Sequence, residues 1–241
     1  MQYYFIGGLG GNCYHLTPLI DELGFPVTFL DPYREMIQTE KELRAWFQGQ
    51  IVKDEEICLL GHSLGGDLAR YLATAFPQIQ ALILLDGGYL DMEKILPLEE
   101  ELEGTSSFMQ QQVFSTLEEA VLAEFGDGAD PTPIARKAVE ASYRWNLASE
   151  QYELNLDLEK VLALLRLRRQ IKANQISITD KPVQFIGPRY QEEPEWRKAA
   201  LNQLDPKIKQ VLLEGLGHEL YTDAPEIVAR EINNWLQNVH K

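Results

Sequence analysis

Apolar residues in this chain gather in short continuous runs, separated by longer segments in which they recur at helical spacing. Tyr3 to Ile6, Val27 to Leu30, Ile57 to Leu60, Ala81 to Leu85, Pro182 to Gly187 and Ile208 to Leu213 read as six strands. The run at 81–85 has no polar interruption, the mark of a strand covered on both faces. Helical spacing fills the gaps. Tyr14 to Leu23 is broken by Gly24-Phe25-Pro26, and Thr39-Glu40-Lys41-Glu42 is a capping box before Leu43, Trp46 and Phe47. Leu64, Leu68, Tyr71, Leu72, Ala75 and Phe76 share one face of the next helix. A helix over 193–204 and a final one opened by Asp223-Ala224-Pro225-Glu226 complete the alternation. Strands alternating with helices predict an α/β fold, a mostly parallel six-stranded sheet with helices on both faces, joined by right-handed crossovers.

Between the fourth and fifth strands the pattern changes. From Leu90 to Ser177 no strand pattern is read, and helices are predicted over 108–125, 133–147 and 158–172. Breaks are expected at Gly104, at Gly126 to Pro131 and near Leu154 to Asp157. This organisation gives a core of residues 1–89 and 178–241 with a helical insertion at 90–177, within one domain.

The candidate chemistry lies where strands end. Ile57 to Leu60 runs into Gly61-His62-Ser63-Leu64-Gly65-Gly66 and at once into a helix. Strand, sharp turn and helix are the context that makes Gly-x-Ser-x-Gly a nucleophile elbow. Small residues two before and two after Ser63 keep strand and helix from colliding, and Gly66 allows the helix to pack closely on the sheet. The first strand runs into Gly7-Gly8-Leu9-Gly10-Gly11, whose spacing fits no nucleotide fingerprint and suits a backbone-donor loop wrapped near a substrate oxygen.

A serine hydroxyl needs a base. Of four histidines, His218 follows the last strand directly, whereas His62 should point away along the turn, His15 sits on the first helix and His240 is near the C-terminus. An imidazole in turn needs a carboxylate to fix its tautomer. Asp86 ends the buried fourth strand before Gly87-Gly88, and Glu192 and Glu193 follow the fifth. Either Asp86 or one of the glutamates can serve, and the residues alone leave the choice open.

Charge and composition narrow the partners. A net charge of −15 disfavours nucleic acid and anionic membrane surfaces. The apolar runs are too short for a transmembrane helix, and the N-terminal residues lack the basic region of a signal peptide. Cys13 and Cys58 form no disulfide framework and are expected as reduced thiols in a cytoplasmic protein. With no metal-ligand cluster and no nucleotide motif, no cofactor is expected. Arg166, Arg168, Arg169 and Lys172 form a basic cluster, read chiefly as favourable charge at a helix C-terminus, with an anion anchor as the alternative.

The stretch 61–66, the glycine loop before it and Gly217-His218 after the last strand resemble the α/β-hydrolase superfamily over nearly the whole chain. That resemblance implies an oxyanion hole from the backbone N–H groups of Leu9 and Leu64, and a helical cap over the site. It departs from the family in three places. Gly7-Gly8 stands where His-Gly is usual, the chain starts on the strand bearing the glycine loop, and Tyr190 occupies the place of a frequent acidic residue. The last departure shifts weight to Asp86, the position used by thioesterase-like members. The implied activity is hydrolysis of an ester or thioester of a small, apolar acyl substrate through Ser63, His218 and Asp86. A lyase or carbon–carbon bond hydrolase on the same triad, and a non-catalytic receptor, are the alternatives. Phe108, Met109, Phe114, Tyr143, Trp145 and Tyr152 in the insertion suit an apolar acyl group, though for any one of them a structural role is the first expectation.

Overall fold

Side chains alternate across each strand, and that alternation divides the apolar interior in two. The computed structural model describes residues 1–178 and 180–239. Before the insertion come strands β1 (Gln2–Ile6), β2 (Thr28–Leu30), β3 (Ile57–His62) and β4 (Ile79–Leu85), with helices α1 (Cys13–Leu23), α2 (Glu40–Gln50) and α3 (Leu64–Ala75) between them. The insertion carries α4 (Met92–Ile95), α5 (Leu98–Gln111), β5 (Val113–Phe114), α6 (Leu117–Phe125), α7 (Pro133–Ala141), β6 (Tyr143–Asn146), β7 (Gln151–Leu154) and α8 (Leu158–Ile171). β8 (Val183–Arg189), α9 (Glu195–Asn202), β9 (Lys209–Glu214), α10 (Leu220–Asp223) and α11 (Pro225–Val239) follow.

Six strands form one sheet in the order β2-β1-β3-β4-β8-β9, and every neighbouring pair is parallel. Phe5, Cys58, Leu60, Ala81, Ile83 and Leu85 pack on one face with Leu16 and Leu19 of α1 and Val228 and Ile232 of α11. Tyr4, Ile6, Leu59, Leu82 and Leu84 pack on the other with Phe47 of α2, Leu68 of α3 and Leu164 of α8. β4 is covered on both faces, as its unbroken apolar run predicts. The order places β3 beside both β1 and β4, so the loops after these three strands converge at one edge.

The insertion holds three strands where the sequence pattern predicts only helices. β5, β7 and β6 form a small antiparallel sheet, with Trp145 opposite Tyr152. These strands span two to four residues and none of their side chains is fully buried, so they display no clean two-residue alternation. The helix predicted over 133–147 therefore stops at Ala141, and that over 108–125 is two helices, separated where Thr116 caps α6. Gly104 is no break. α5 runs through it, because one interior glycine costs only about 1 kcal/mol and Glu101 and Leu102 anchor the helix by burial. Asp223 closes α10 rather than capping α11, which begins at Pro225. His240 lies outside the described residues.

The insertion is tied to the core on both sides of the glycine loop. Asn12 Nδ2 donates to Ala138 O (2.9 Å) and Ser142 Oγ (3.0 Å), and Arg34 Nη1 donates to Asn155 O (3.0 Å).

Candidate active site

β3 passes into α3 through one strained residue. Ser63 has φ 53° and ψ −125°, a region that costs a non-glycine residue about 1–3 kcal/mol. Its backbone is held from both sides. The Ser63 amide donates to Leu85 O at the end of β4 (3.1 Å), and the Gly66 amide donates to Ser63 O (2.9 Å). A Cβ on Gly65 would lie 2.2 Å from Ile6 O, so only glycine lets α3 start against the end of β1. Ser63 occupies the N-cap position, yet its hydroxyl makes no capping bond and is left for other chemistry. The glycine loop comes against this side chain, since a Cβ on Gly8 would lie 3.0 Å from Ser63 Cβ. Leu9 stands next in that loop, and Leu64 is the first residue of α3, where helix amides have no intrahelical acceptor.

Asp86, one residue past β4, also has a positive φ, 40°. Its amide donates to Ile186 O (2.8 Å), which fixes the turn against β8. Its Oδ2 is 2.7 Å from His218 Nδ1. Asp86 is buried, whereas the His218 side chain is 46% exposed and reachable from solvent. Burial alone would raise the Asp86 carboxyl, but the hydrogen bond and charge of His218, with Arg197 behind them, hold it below the usual carboxylate range. Partial burial would lower His218, and the Asp86 hydrogen bond and charge outweigh it, so the imidazole sits above its ordinary value. Glu193 does not reach the histidine. It pairs with Arg197 Nη1, and Glu192 is exposed.

Of three neighbours of this pair, Arg197 and Tyr89 give no sequence signal, and Tyr190 stands out only for its place where an acidic residue is frequent. Arg197 is buried and donates Nη2 to Asp86 Oδ1 (3.2 Å) and Pro188 O (2.8 Å), and Nε to Tyr89 Oη (2.8 Å). Tyr89 Oη donates to Asp86 Oδ1 (3.0 Å), so the carboxylate is gripped on the oxygen that His218 leaves free. Tyr190 lies over the Arg197 guanidinium, 4.9 Å from the ring centroid. Arg197→Ala is expected to lower the unfolding free energy by up to about 3 kcal/mol, because it removes the charged donor behind the buried Asp86 carboxylate, which keeps only His218 and Tyr89. A urea titration measures this.

His62 is the other neighbour. The sequence directs it away from Ser63, and its ring lies beside His218 (centroids 4.7 Å apart) and Tyr221 (4.9 Å). Its Nε2 is 3.0 Å from the His218 carbonyl oxygen, which makes Nε2 the protonated nitrogen. Burial drives its pKa down to about 3, so it stays neutral and positions the His218 backbone. His15 is a cap: its Nδ1 accepts from the Asn12 amide (3.2 Å). His62, His218 and Glu219 bring ligand-capable atoms within 4.8 Å of one another, though two of their imidazole nitrogens are engaged within the protein.

The basic cluster separates. Arg168 and Arg169 turn inward onto Glu101 of α5, with Arg169 Nε 2.8 Å from Glu101 Oε2, while Arg166 and Lys172 are exposed. These pairs join α5 to α8. Among the described residues no helix is long and apolar enough to cross a membrane.

A family model described as BAAT / acyl-CoA thioester hydrolase C terminal matches residues 42–129. No curated protein matches the sequence. Solved structures resemble the chain over its full length at low identity. An E-2-(acetamidomethylene)succinate hydrolase superposes with a TM-score of 0.71 at 17% identity, covering 98% of this chain and 91% of that one. The thioesterase domain from the curacin biosynthetic pathway gives 0.67 at 17% identity, covering 95% and 90%. An esterase from Thermogutta terrifontis gives 0.66 at 17%, covering 100% and 91%. The chain has the α/β-hydrolase fold.

Proposed function

We propose that the protein is a serine hydrolase that cleaves an ester or thioester of a small, apolar acyl substrate through Ser63, His218 and Asp86. The observation that carries the reading is the 2.7 Å contact between His218 Nδ1 and an ionised Asp86, at the sheet edge where the strained Ser63 presents an uncapped hydroxyl. The match to a thioester-hydrolase model and the esterase and thioesterase neighbours favour acyl transfer to water over other chemistry on this fold.

Asp86 accepts the His218 Nδ1 proton and leaves Nε2 as the base. Nε2 takes the Ser63 proton as Oγ bonds to the acyl carbon, and the N–H groups of Leu9 and Leu64 receive the developing oxyanion. The imidazolium returns that proton to the departing alcohol or thiol. Water, deprotonated by the same nitrogen, then releases the acid from the acyl-enzyme. No cofactor is needed for these steps. The free thiols Cys13 and Cys58 are consistent with a cytoplasmic setting.

The test is labelling with a fluorophosphonate, followed by intact mass and peptide mapping. Adduct on Ser63 is expected, and a protein that remains unlabelled at Ser63 would refute the reading. Activity on p-nitrophenyl esters and on acyl-CoA thioesters then separates ester from thioester preference. The pH profile gives a second check. Only neutral His218 accepts the serine proton, and its pKa is raised by Asp86, so kcat/KM should fall on the acid side with a midpoint above about 6.5. A midpoint below that value would contradict the His218–Asp86 coupling.

A further inference from the structure

A cleft of about 270 Å³ opens beside the glycine loop, lined by Leu9, Leu96, Glu100, Glu101, Gly104, Thr105 and Phe108. It starts one residue from Gly8, which lies against the Ser63 side chain. Its wall is one stripe of α5, where Glu100, Gly104 and Phe108 recur every fourth residue and so share a face. Phe108 and Leu9 are exposed apolar side chains at its mouth, 54% and 38% accessible.

Gly104 stands in the middle of that stripe, and neither backbone nor packing requires it. Its φ is not positive, and a Cβ built there meets no atom within 4 Å. Interior glycine costs a helix about 1 kcal/mol relative to alanine. The glycines of the elbow differ, since a Cβ on Gly61, Gly65, Gly66 or Gly87 would strike backbone. At Gly104 the missing side chain leaves only open volume. The polar floor is already neutralised: Glu101 accepts from Arg168 and Arg169, so among the described residues no free cation lines the cleft to receive a carboxylate or phosphate. Glu100 on the rim is exposed and repels anions.

We infer that this cleft is the acyl subsite, that it takes a neutral apolar acyl chain of medium length, and that Gly104 determines how long that chain can be. The inference rests on the serine-hydrolase reading above. Size supports the class of ligand. A cavity of about 150 Å³ accepts benzene, so 270 Å³ has room for a chain on the order of six to ten carbons.

Two p-nitrophenyl alkylphosphonates, one with an ethyl and one with an octyl chain, separate the possibilities. Ser63 Oγ bonds to phosphorus, p-nitrophenolate leaves, and the serine proton passes to His218. In the wild type the octyl probe should label Ser63 faster than the ethyl probe. In Gly104→Leu the octyl-to-ethyl ratio of labelling rates should fall at least about tenfold, since apolar pockets discriminate about tenfold or more per methyl-sized group. Gly104→Ala should move the ratio the same way by a smaller factor, with an unchanged or higher Tm because alanine favours the helix. The alanine variant therefore carries the test even where leucine disturbs folding. An unchanged ratio in Gly104→Ala, or a wild type that favours the ethyl probe, overturns the subsite while Ser63 labelling preserves the hydrolase reading. Failure of both probes to label Ser63 in the wild type overturns that reading and the subsite with it.

Discussion

Ser63→Ala should lower kcat on an activated ester by at least about a thousandfold, and by as much as about a millionfold where nucleophile and base act as one unit. The hydroxyl supplies the only atom that would bond to the acyl carbon. On the proposed mechanism, what remains without it is the backbone, where the amides at Leu9 and Leu64 would still polarise a bound carbonyl toward attack by water. The fold should survive, because Ser63 contributes its backbone bonds to Leu85 and Gly66 and no side-chain cap. His218→Ala should cost nearly as much. His62 cannot replace it, since it is buried and its pKa is near 3. The decisive measurement is the double variant. If Ser63 and His218 form one proton-transfer unit, the pair of substitutions costs little more than Ser63→Ala alone. A double variant whose loss is the product of the two single losses would mean that they act separately.

How much of this could be read from the sequence depends on where each constraint resides. The elbow was legible because its constraint is steric and local: strand, Gly61, Ser63, Gly65 and helix all fall within twenty residues, and any larger residue at 65 would meet the Ile6 carbonyl. The position of His218 a few residues past the last strand was legible, and there its ring meets Asp86. Arg197 was not legible. It lies in the first turn of α9 among ordinary surface-like residues, and only its tertiary bonds to Asp86, Tyr89 and Pro188 show that it turns inward. The same arginine takes up Glu193, the alternative that the sequence ranked below Asp86. The small sheet of the insertion was missed for a different reason: its strands are short and only partly buried on either face, so no alternation marks them. Gly104 reads as a helix breaker by composition, yet α5 runs straight through it, anchored by the buried Glu101 and Leu102 one turn before.

The assignment of the acid leads to the last expected result, that Asp86→Asn lowers kcat by about ten-thousandfold while Glu193→Gln costs far less. Asparagine keeps the shape of the side chain and can still accept from Arg197 and Tyr89. Toward His218 it offers either a carbonyl without charge or an N–H donor. A donor there would force the proton onto Nε2, and Nε2 could no longer take the proton of Ser63. Glu193 touches the site through Arg197 and the Tyr190 amide, and Arg197 keeps its bonds to Asp86, Tyr89 and Pro188 when that glutamate is neutralised. The pH profile separates the two roles further. Asp86 raises the His218 pKa by stabilising the imidazolium, so its loss should move the acid limb of whatever activity remains to lower pH. Glu193→Gln should leave that limb in place. Both variants are measured on one activated ester across pH. A larger loss in Glu193→Gln, or an acid limb that stays put in Asp86→Asn, would show that Asp86 does not orient and charge-stabilise His218.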